Sequence, residues 1–449
     1  MRYRLNTLLC LAAASSALLL IRWRLRLQLP HSTTQAQRAT AEEEEEAPCD
    51  SAGIKSGIPP YRIYVYELPG EYNRDIAQCF EGNECEKLGS CGYGPLIAQH
   101  GNLQVRNTWQ FALEVIVHHR MLASPYRTLD INEANAFYLP YYSGLDCLCT
   151  RGCSTHSVDG VLQWLKQQQP FQERRQHLMA LSKIEREHFS RRCPLLARSE
   201  IRDFLLIGIE QESNEVYRRR RRGDVRPLVV APYPSYGHFS DKRHPHTLSQ
   251  SRDVFLLLAA GTRRSNPFRA HILQQFPEST TLSPDAFLHG GRTPPGVLWY
   301  QTPECRGQHH KYTLAWMQRA LFCLQPPGDS PTRKSFYDAV ISGCIPVIFK
   351  DADVTVRYPF DSHLNYSAFC VEIDASAVRR DRTALDALRE LVSQRNIQHM
   401  QRDLQTAAAC LQYSFPFHHS PNDAFAMILN QIEVRLQNNG SVDVQPLGS

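Results

Sequence analysis

Lysine is scarce in this chain, with 8 residues against 42 arginines. The arginine excess runs along the whole sequence, so the run Arg218 to Arg222 reads as a solvated loop or helix end and not as a nucleic-acid surface. Charge of one sign is missing as well. Fifty basic residues against 45 acidic ones leave a net +5 over 449 residues, which gives no chain-wide case for nucleic-acid binding. No internal repeat of fixed period is present, which excludes solenoids and propellers. Also absent are a G-x-G-x-x-G fingerprint, a Walker lysine loop, a G-x-S-x-G elbow and an H-E-x-x-H helix. Dinucleotide enzymes, P-loop NTPases, α/β-hydrolases and zincins therefore have no footing here.

Long hydrophobic runs are also rare. The longest of interest, Leu8 to Ile21, has 14 residues, and extension to Leu5 and through Trp23 brings it near the lower limit of a membrane span, ~17 residues, with the flanking arginines snorkelling. Arg2 and Arg4 precede it, Arg22, Arg24 and Arg26 follow, and no acidic residue occurs before Glu42. A signal anchor and a cleaved signal peptide both fit, and leucines after the small residues Ala12 to Ala17 favour the anchor by removing a clean cleavage site. Residues 28 to 59, with Gln, Ser, Thr, Ala, the run Glu42 to Glu46 and several prolines and glycines, read as a stem that buries too little apolar surface to fold.

Cysteine is not scarce: there are 14. They cluster as Cys79, Cys85, Cys91 and as Cys147, Cys149, Cys153, with others spread behind. If the N-terminus directs the chain into a secretory lumen, these are mostly disulfides. The rival is zinc on Cys147, Cys149, Cys153 and His156, whose spacing matches no recurrent zinc module. Cys344, inside an apolar run, reads as a buried free thiol. The triplets beginning at Asn365 and Asn439 are glycosylation acceptors consistent with a lumenal chain.

The remaining sequence alternates short apolar strands with helices, which argues for an α/β architecture. Strands are expected at Tyr61 to Tyr66, Asn135 to Tyr142, Asp203 to Ile209, Arg226 to Ala231, Asp253 to Ala260 and Leu321 to Leu324. Helices are expected at Trp109 to Met121, 158 to 189 and Tyr312 to Ala320. A polar, proline-bearing stretch near 232 to 252 marks a boundary. The expected organisation is tail and anchor 1–27, stem 28–59, first α/β domain 60–240, second 241–430 and tail 431–449.

Residues 321 to 349 read as strand, loop, helix, strand, the helix opening at Ser330-Pro331 and stopping at Gly343. Ligands of such parallel units sit beyond the carboxyl ends of the strands, here at Gln325 to Ser330. Arg333 and Lys334 place cations where a helix start itself favours an anion, a local conflict that a bound phosphate explains. Gly261 and Arg264, at the end of another strand, offer a second contact to one diphosphate, which points to a nucleotide sugar. Asp351-Ala-Asp353 has the form of a D-x-D metal pair, although in a loop, and no metal is expected.

The run Phe322 to Phe349, FCLQPPGDSPTRKSFYDAVISGCIPVIF, resembles the signature of the exostosin-like glycosyltransferases of glycosyltransferase family 47, especially the plant and algal branch. Weaker echoes are RIYVYELPGEYN, FYLPYYSG, EHF at 187 to 189, DVFLLLAAGTRR and Tyr358-Pro359-Phe360. The resemblance implies a GT-B type fold, two Rossmann-like domains facing a cleft, on a single-pass type II Golgi protein. It implies inverting transfer from a nucleotide sugar, UDP-linked, to a polysaccharide or glycoprotein glycan, without a metal cofactor. In that frame Gly328, Ser330, Arg333 and Lys334 bind diphosphate through amides, hydroxyl and charge, joined by Gly261 and Arg264, while Asp338 reaches a ribose hydroxyl. The expected base is Asp203, ahead of Asp146 and His238. Two departures touch the acceptor side: Arg202 replaces the usual tryptophan before Asp-Phe, and Glu187 stands where aspartate is common. A catalytically silent relative serving as subunit or chaperone of another transferase is the alternative, and complexes with such enzymes are possible partners.

Overall fold

A computed structural model describes residues 59–80, 88–100, 103–149, 155–214, 226–239, 252–260, 267–276, 281–282, 297–300, 309–351, 354–380, 382–417 and 423–437. The expected anchor and all of the stem but Pro59 lie outside the described residues, as do Gly261, Arg264, Asp353 and Asn439. Among the described residues no helix is long and apolar enough to cross a membrane.

The first half carries β1 (Ile63–Val65), β2 (Leu96–His100), β3 (Leu103–Arg106), β4 (Arg127–Thr128), β5 (Ala136–Tyr138) and β6 (Gln176–Leu181). It continues with β7 (Leu205–Gly208), β8 (Gln211–Asn214), β9 (Leu228–Val230) and β10 (Gly237–Phe239). Six of these form a parallel sheet in the order β4-β1-β5-β6-β7-β9. Its strands are buried on both faces: Leu178 and Ala180 of β6 face one core, Met179 and Leu181 the other. Parallel strands need this double cover, which is why they read as apolar runs without alternation.

The second half carries β11 (Val254–Ala259), β12 (Thr281–Leu282), β13 (Val297–Tyr300), β14 (Ala320–Gln325), β15 (Ile345–Lys350), β16 (Val354–Arg357) and β17 (Val371–Asp374). A second six-stranded parallel sheet runs β12-β13-β11-β14-β15-β17. The α/β class with two parallel sheets is thus present as expected. β2, β3 and β10 form a small antiparallel sheet, and β8 pairs antiparallel with β16, so one two-stranded ribbon joins the halves.

The helices used below are α1 (Leu113–Leu122), α2 (Thr155–Leu165), α3 (His309–Arg319), α4 (Lys334–Ile341), α5 (Ile397–Cys410) and α6 (Ala424–Gln437). α6 runs past residue 430 and returns to the first half, where the Tyr61 hydroxyl donates to the Leu429 carbonyl at 2.7 Å. Just before it, Asp423 pairs with the buried Arg120 of α1 at 2.8 Å.

Several sequence expectations are corrected. The helix expected over 158 to 189 ends at Leu165 as α2, and Gln176–Leu181 is a central strand. QHLMAL has no β-branched residue, so propensity favoured a helix; burial of five of its six positions between two cores decides otherwise. α1 begins at Leu113, because Trp109 instead packs on Phe80 at 4.9 Å. Cys344 is not a free thiol: it is bonded to Cys323, linking β14 to the start of β15. Cys147 pairs with Cys193 and Cys149 with Cys79, which removes two ligands of the zinc reading. Cys370 and Cys410 are free.

Candidate functional site

The carboxyl edges of the two sheets face each other. Arg186, beyond β6, donates to the Asp329 carbonyl beyond β14 at 2.5 Å. Glu210, beyond β7, accepts from the Ser330 hydroxyl at 2.9 Å, from the Thr332 amide at 3.0 Å and from the Thr332 hydroxyl. Tyr236, beyond β9, donates its amide to Asp338 of α4 at 2.8 Å. Three successive strand ends of the first half thus grip one loop-and-helix unit of the second.

A cavity of about 490 Å³ opens beside that grip, within the size range of small-molecule sites. Gln325 at the end of β14, Ile348 to Lys350 at the end of β15, and the loop Pro327 to Arg333 form its base and wall. Val354 and Val356 of β16 close one side, and Phe336 with Tyr358 gives an aromatic face, ring centroids 5.6 Å apart. The location beyond β14 and β15 is the one the sequence argument gave. Arg333 and Lys350 bring positive charge, Lys350 also meeting Glu372 at the surface. Gln325 is buried, and its side-chain carbonyl has no hydrogen-bond partner among the described residues. An amide left so inside a cavity wall is a group a ligand can satisfy.

The expected site residues divide. Ser330 and Arg333 line the cavity. Gly328 is not among the lining residues; its amide donates to the Ser330 carbonyl at 2.9 Å, and a Cβ there would come within 3.1 Å of the Arg269 guanidinium. The helix does not start at Ser330. Arg333 is the extended N-cap residue and α4 begins at Lys334, because the Ser330 hydroxyl is committed to Glu210 and so caps nothing. Its end is as expected, with Gly343 at φ +70°.

Lys334 and Asp338 turn away from the cavity. They pair at 3.1 Å, both buried, and the ammonium lies 2.9 Å from the Tyr236 ring centroid. Burial pulls Lys334 down to about 8, against the opposing pull of Asp338, and pushes Asp338 up. With Tyr236, the two form a strut between the halves and do not line the cavity.

None of the three expected bases reaches the cavity. Asp203 precedes β7, at the amino edge of a parallel sheet whose carboxyl edge faces the loop, so it lies on the wrong side of the strand. Asp146 is buried, accepts from the Tyr141 hydroxyl at 2.7 Å, and burial pushes its carboxyl up. His238 is fully buried, its ring nitrogens held by Thr108 and the Tyr413 carbonyl, both at 2.7 Å, and burial pulls it down to about 3.

The sequence reading missed Glu210 and Arg186, and so the position of Glu187 beside the residue that bridges to the loop. Glu187 sits in the short helix Glu185–Phe189 beyond β6, paired with Lys183 at 3.0 Å and 41% exposed. The available signal was position: each follows an apolar strand at its carboxyl end.

The description "Exostosin GT47 domain" matches residues 58–388. Similar proteins from Arabidopsis thaliana include "Probable xyloglucan galactosyltransferase GT20", 29% identical over 346 residues, covering 71% of this chain and 57% of its own. "Xyloglucan-specific galacturonosyltransferase 1" is 26% identical, covering 71% of this chain and 48% of its own. "Probable xyloglucan galactosyltransferase GT13" is 24% identical and covers 83% of both. The chain therefore spans about half the length of the first two relatives. Among solved structures, the pneumococcal O-GlcNAc transferase GtfA with UDP and GlcNAc gives a TM-score of 0.32 at 12% identity, over 63% of this chain and 59% of that one. Sucrose-phosphate synthase from Thermosynechococcus elongatus gives 0.36 at 11%, over 85% and 100%. Scores this low carry no argument about the site.

Proposed function

The chain belongs to the Exostosin GT47 family, and on that premise we propose that it is an inverting glycosyltransferase of GT-B architecture, moving a sugar from a UDP-sugar to a polysaccharide or glycoprotein glycan. The observation that carries the reading is the 490 Å³ cavity at the carboxyl ends of β14 and β15, inside the matched region. The relatives' names support galactose or galacturonic acid as the sugar and a polysaccharide as acceptor.

Inverting transfer needs charge stabilisation on the leaving diphosphate and a base for the acceptor hydroxyl. Arg333 and Lys350 supply the charge, and Glu187, on the opposing half and open to solvent, supplies the base. Arg333→Ala is expected to weaken UDP binding by about ten- to a hundredfold, the scale of a charge-assisted hydrogen bond, and Arg333→Lys to recover part of it. Calorimetric titration with UDP decides; unchanged affinity in Arg333→Ala would remove the diphosphate from this wall.

The proposed location is the Golgi lumen, behind a signal anchor near residues 5 to 23. Support comes from the disulfides Cys79–Cys149, Cys147–Cys193 and Cys323–Cys344 and from the exposure of Asn365 and Ser367 in the acceptor triplet. In sealed microsomes the folded part should resist added protease until detergent is present. Digestion without detergent would reject the topology.

A further inference from the structure

Glu210 is almost fully buried, and one of its oxygens takes three hydrogen bonds from the loop that walls the cavity. The Thr332 amide can only donate, so that oxygen is an acceptor, and each hydroxyl reaching it commits its single proton there. The other acceptor within reach of Ser330, the Thr332 carbonyl at 3.3 Å, would take the same proton. A hydroxyl that donates its proton keeps two lone pairs on its oxygen, free to accept. Ser330 and Thr332 line the cavity. Toward a ligand they therefore offer acceptors only, beside a carboxylate.

Such a wall is wrong for a diphosphate, which brings acceptors and negative charge. It is right for groups that donate. Both residues are gripped by the first half, where a transferred sugar must lie to meet its acceptor, whereas the cations of the cavity are Lys350 and Arg333, whose guanidinium donates to the Pro326 carbonyl at 3.2 Å.

We propose that Glu210 is a positioning residue that fixes Ser330 and Thr332 as hydrogen-bond acceptors, so that this wall reads the hydroxyl groups of the transferred sugar and leaves the diphosphate to Arg333 and Lys350. The inference rests on the donor-site reading above. It replaces the diphosphate role expected for the Ser330 hydroxyl. It also makes the donor pocket a product of both halves, since Glu210 and β8, which holds the cavity-lining β16, belong to one short segment of the first.

The test uses the full chain and whichever of UDP-galactose, UDP-galacturonic acid, UDP-xylose and UDP-arabinose the wild type hydrolyses fastest. That UDP-sugar and UDP are titrated separately into the wild type, Ser330→Ala and Glu210→Gln. Ser330→Ala removes an acceptor; in Glu210→Gln the new amide N–H can donate to Ser330 and release its proton toward the cavity. The expected result is a five- to tenfold loss of UDP-sugar affinity, roughly one hydrogen bond, with UDP affinity within about twofold of wild type. Parallel loss of both ligands overturns the inference while keeping the donor site, and so does no change in either. A wild type that binds no UDP overturns the donor reading and the inference with it. Ser330→Ala, the milder change, carries the result alone should Glu210→Gln fail to fold.

Discussion

Replacing Glu187 by Gln is expected to lower turnover by about two to four orders of magnitude, the usual worth of a positioned general base, while UDP affinity stays within about twofold. Three placements argue for this carboxylate. It belongs to the half opposite the cavity, its neighbour Arg186 already bridges to the donor loop at Asp329, and it remains 41% exposed, so an acceptor hydroxyl can reach it. Its rivals on the same half fail on access: Glu185, Glu210 and Glu114 are all buried. Glu114 is committed to the start of the short helix Ser143–Asp146, accepting from Gly144 at 2.8 Å, and burial pushes it up to about 7. The Lys183 ammonium, 3.0 Å from Glu187, is a group the acceptor hydroxyl must compete with. Steady-state kinetics on the full chain separate the cases. A turnover within threefold of wild type in Glu187→Gln would exclude it as the base, and a matching rise in the dissociation constant for UDP would mean that the change had disturbed the loop instead.

The contrast between the two halves of the site shows what the sequence carried. Residues 321 to 349 are legible as strand, loop, helix and strand because their signals are local: apolar strand, Pro-Gly loop, Gly343 as the helix stop and a second apolar strand, although the helix starts at Lys334 and not at Ser330. Placement of the cavity then followed from topology alone, since the ends of adjacent parallel strands fix where a ligand can sit. Side-chain roles were less legible because they depend on partners about a hundred residues or more away. Ser330 and Thr332 are set by Glu210, and Lys334 and Asp338 by Tyr236, none of which periodicity or capping rules reveal. β6 was missed for a related reason, its burial on two faces being a tertiary fact that its composition contradicts. Asp203 is a matter of direction: the strand it precedes delivers its far end, not its start, toward the cavity loop.

Asp338→Ala is expected to cost about 3–5 kcal/mol of unfolding free energy, the loss typical when one partner of a buried ion pair is removed. The variant leaves the Lys334 ammonium buried against the Tyr236 ring and deprives the Tyr236 amide of its acceptor. The pH dependence distinguishes this cause from a simple cavity. Lys334 in the folded protein sits near 8, below the 10.5 of an unperturbed lysine, so between those values the unfolded chain binds more protons and folding is favoured as pH rises. Without Asp338 to hold the charge, deprotonation of Lys334 relieves more, and the deficit relative to wild type should shrink from pH 7 to pH 9. A deficit independent of pH would mean that Lys334 is not the buried charge responsible. Lys334→Met combined with Asp338→Asn removes the charges yet keeps an acceptor for Tyr236, and should recover most of the stability in chemical denaturation. Because Tyr236 follows β9 and Asp338 lies on the helix behind the cavity wall, the single variant should also raise the KM for the donor, through a loosened junction between the halves that the double variant restores.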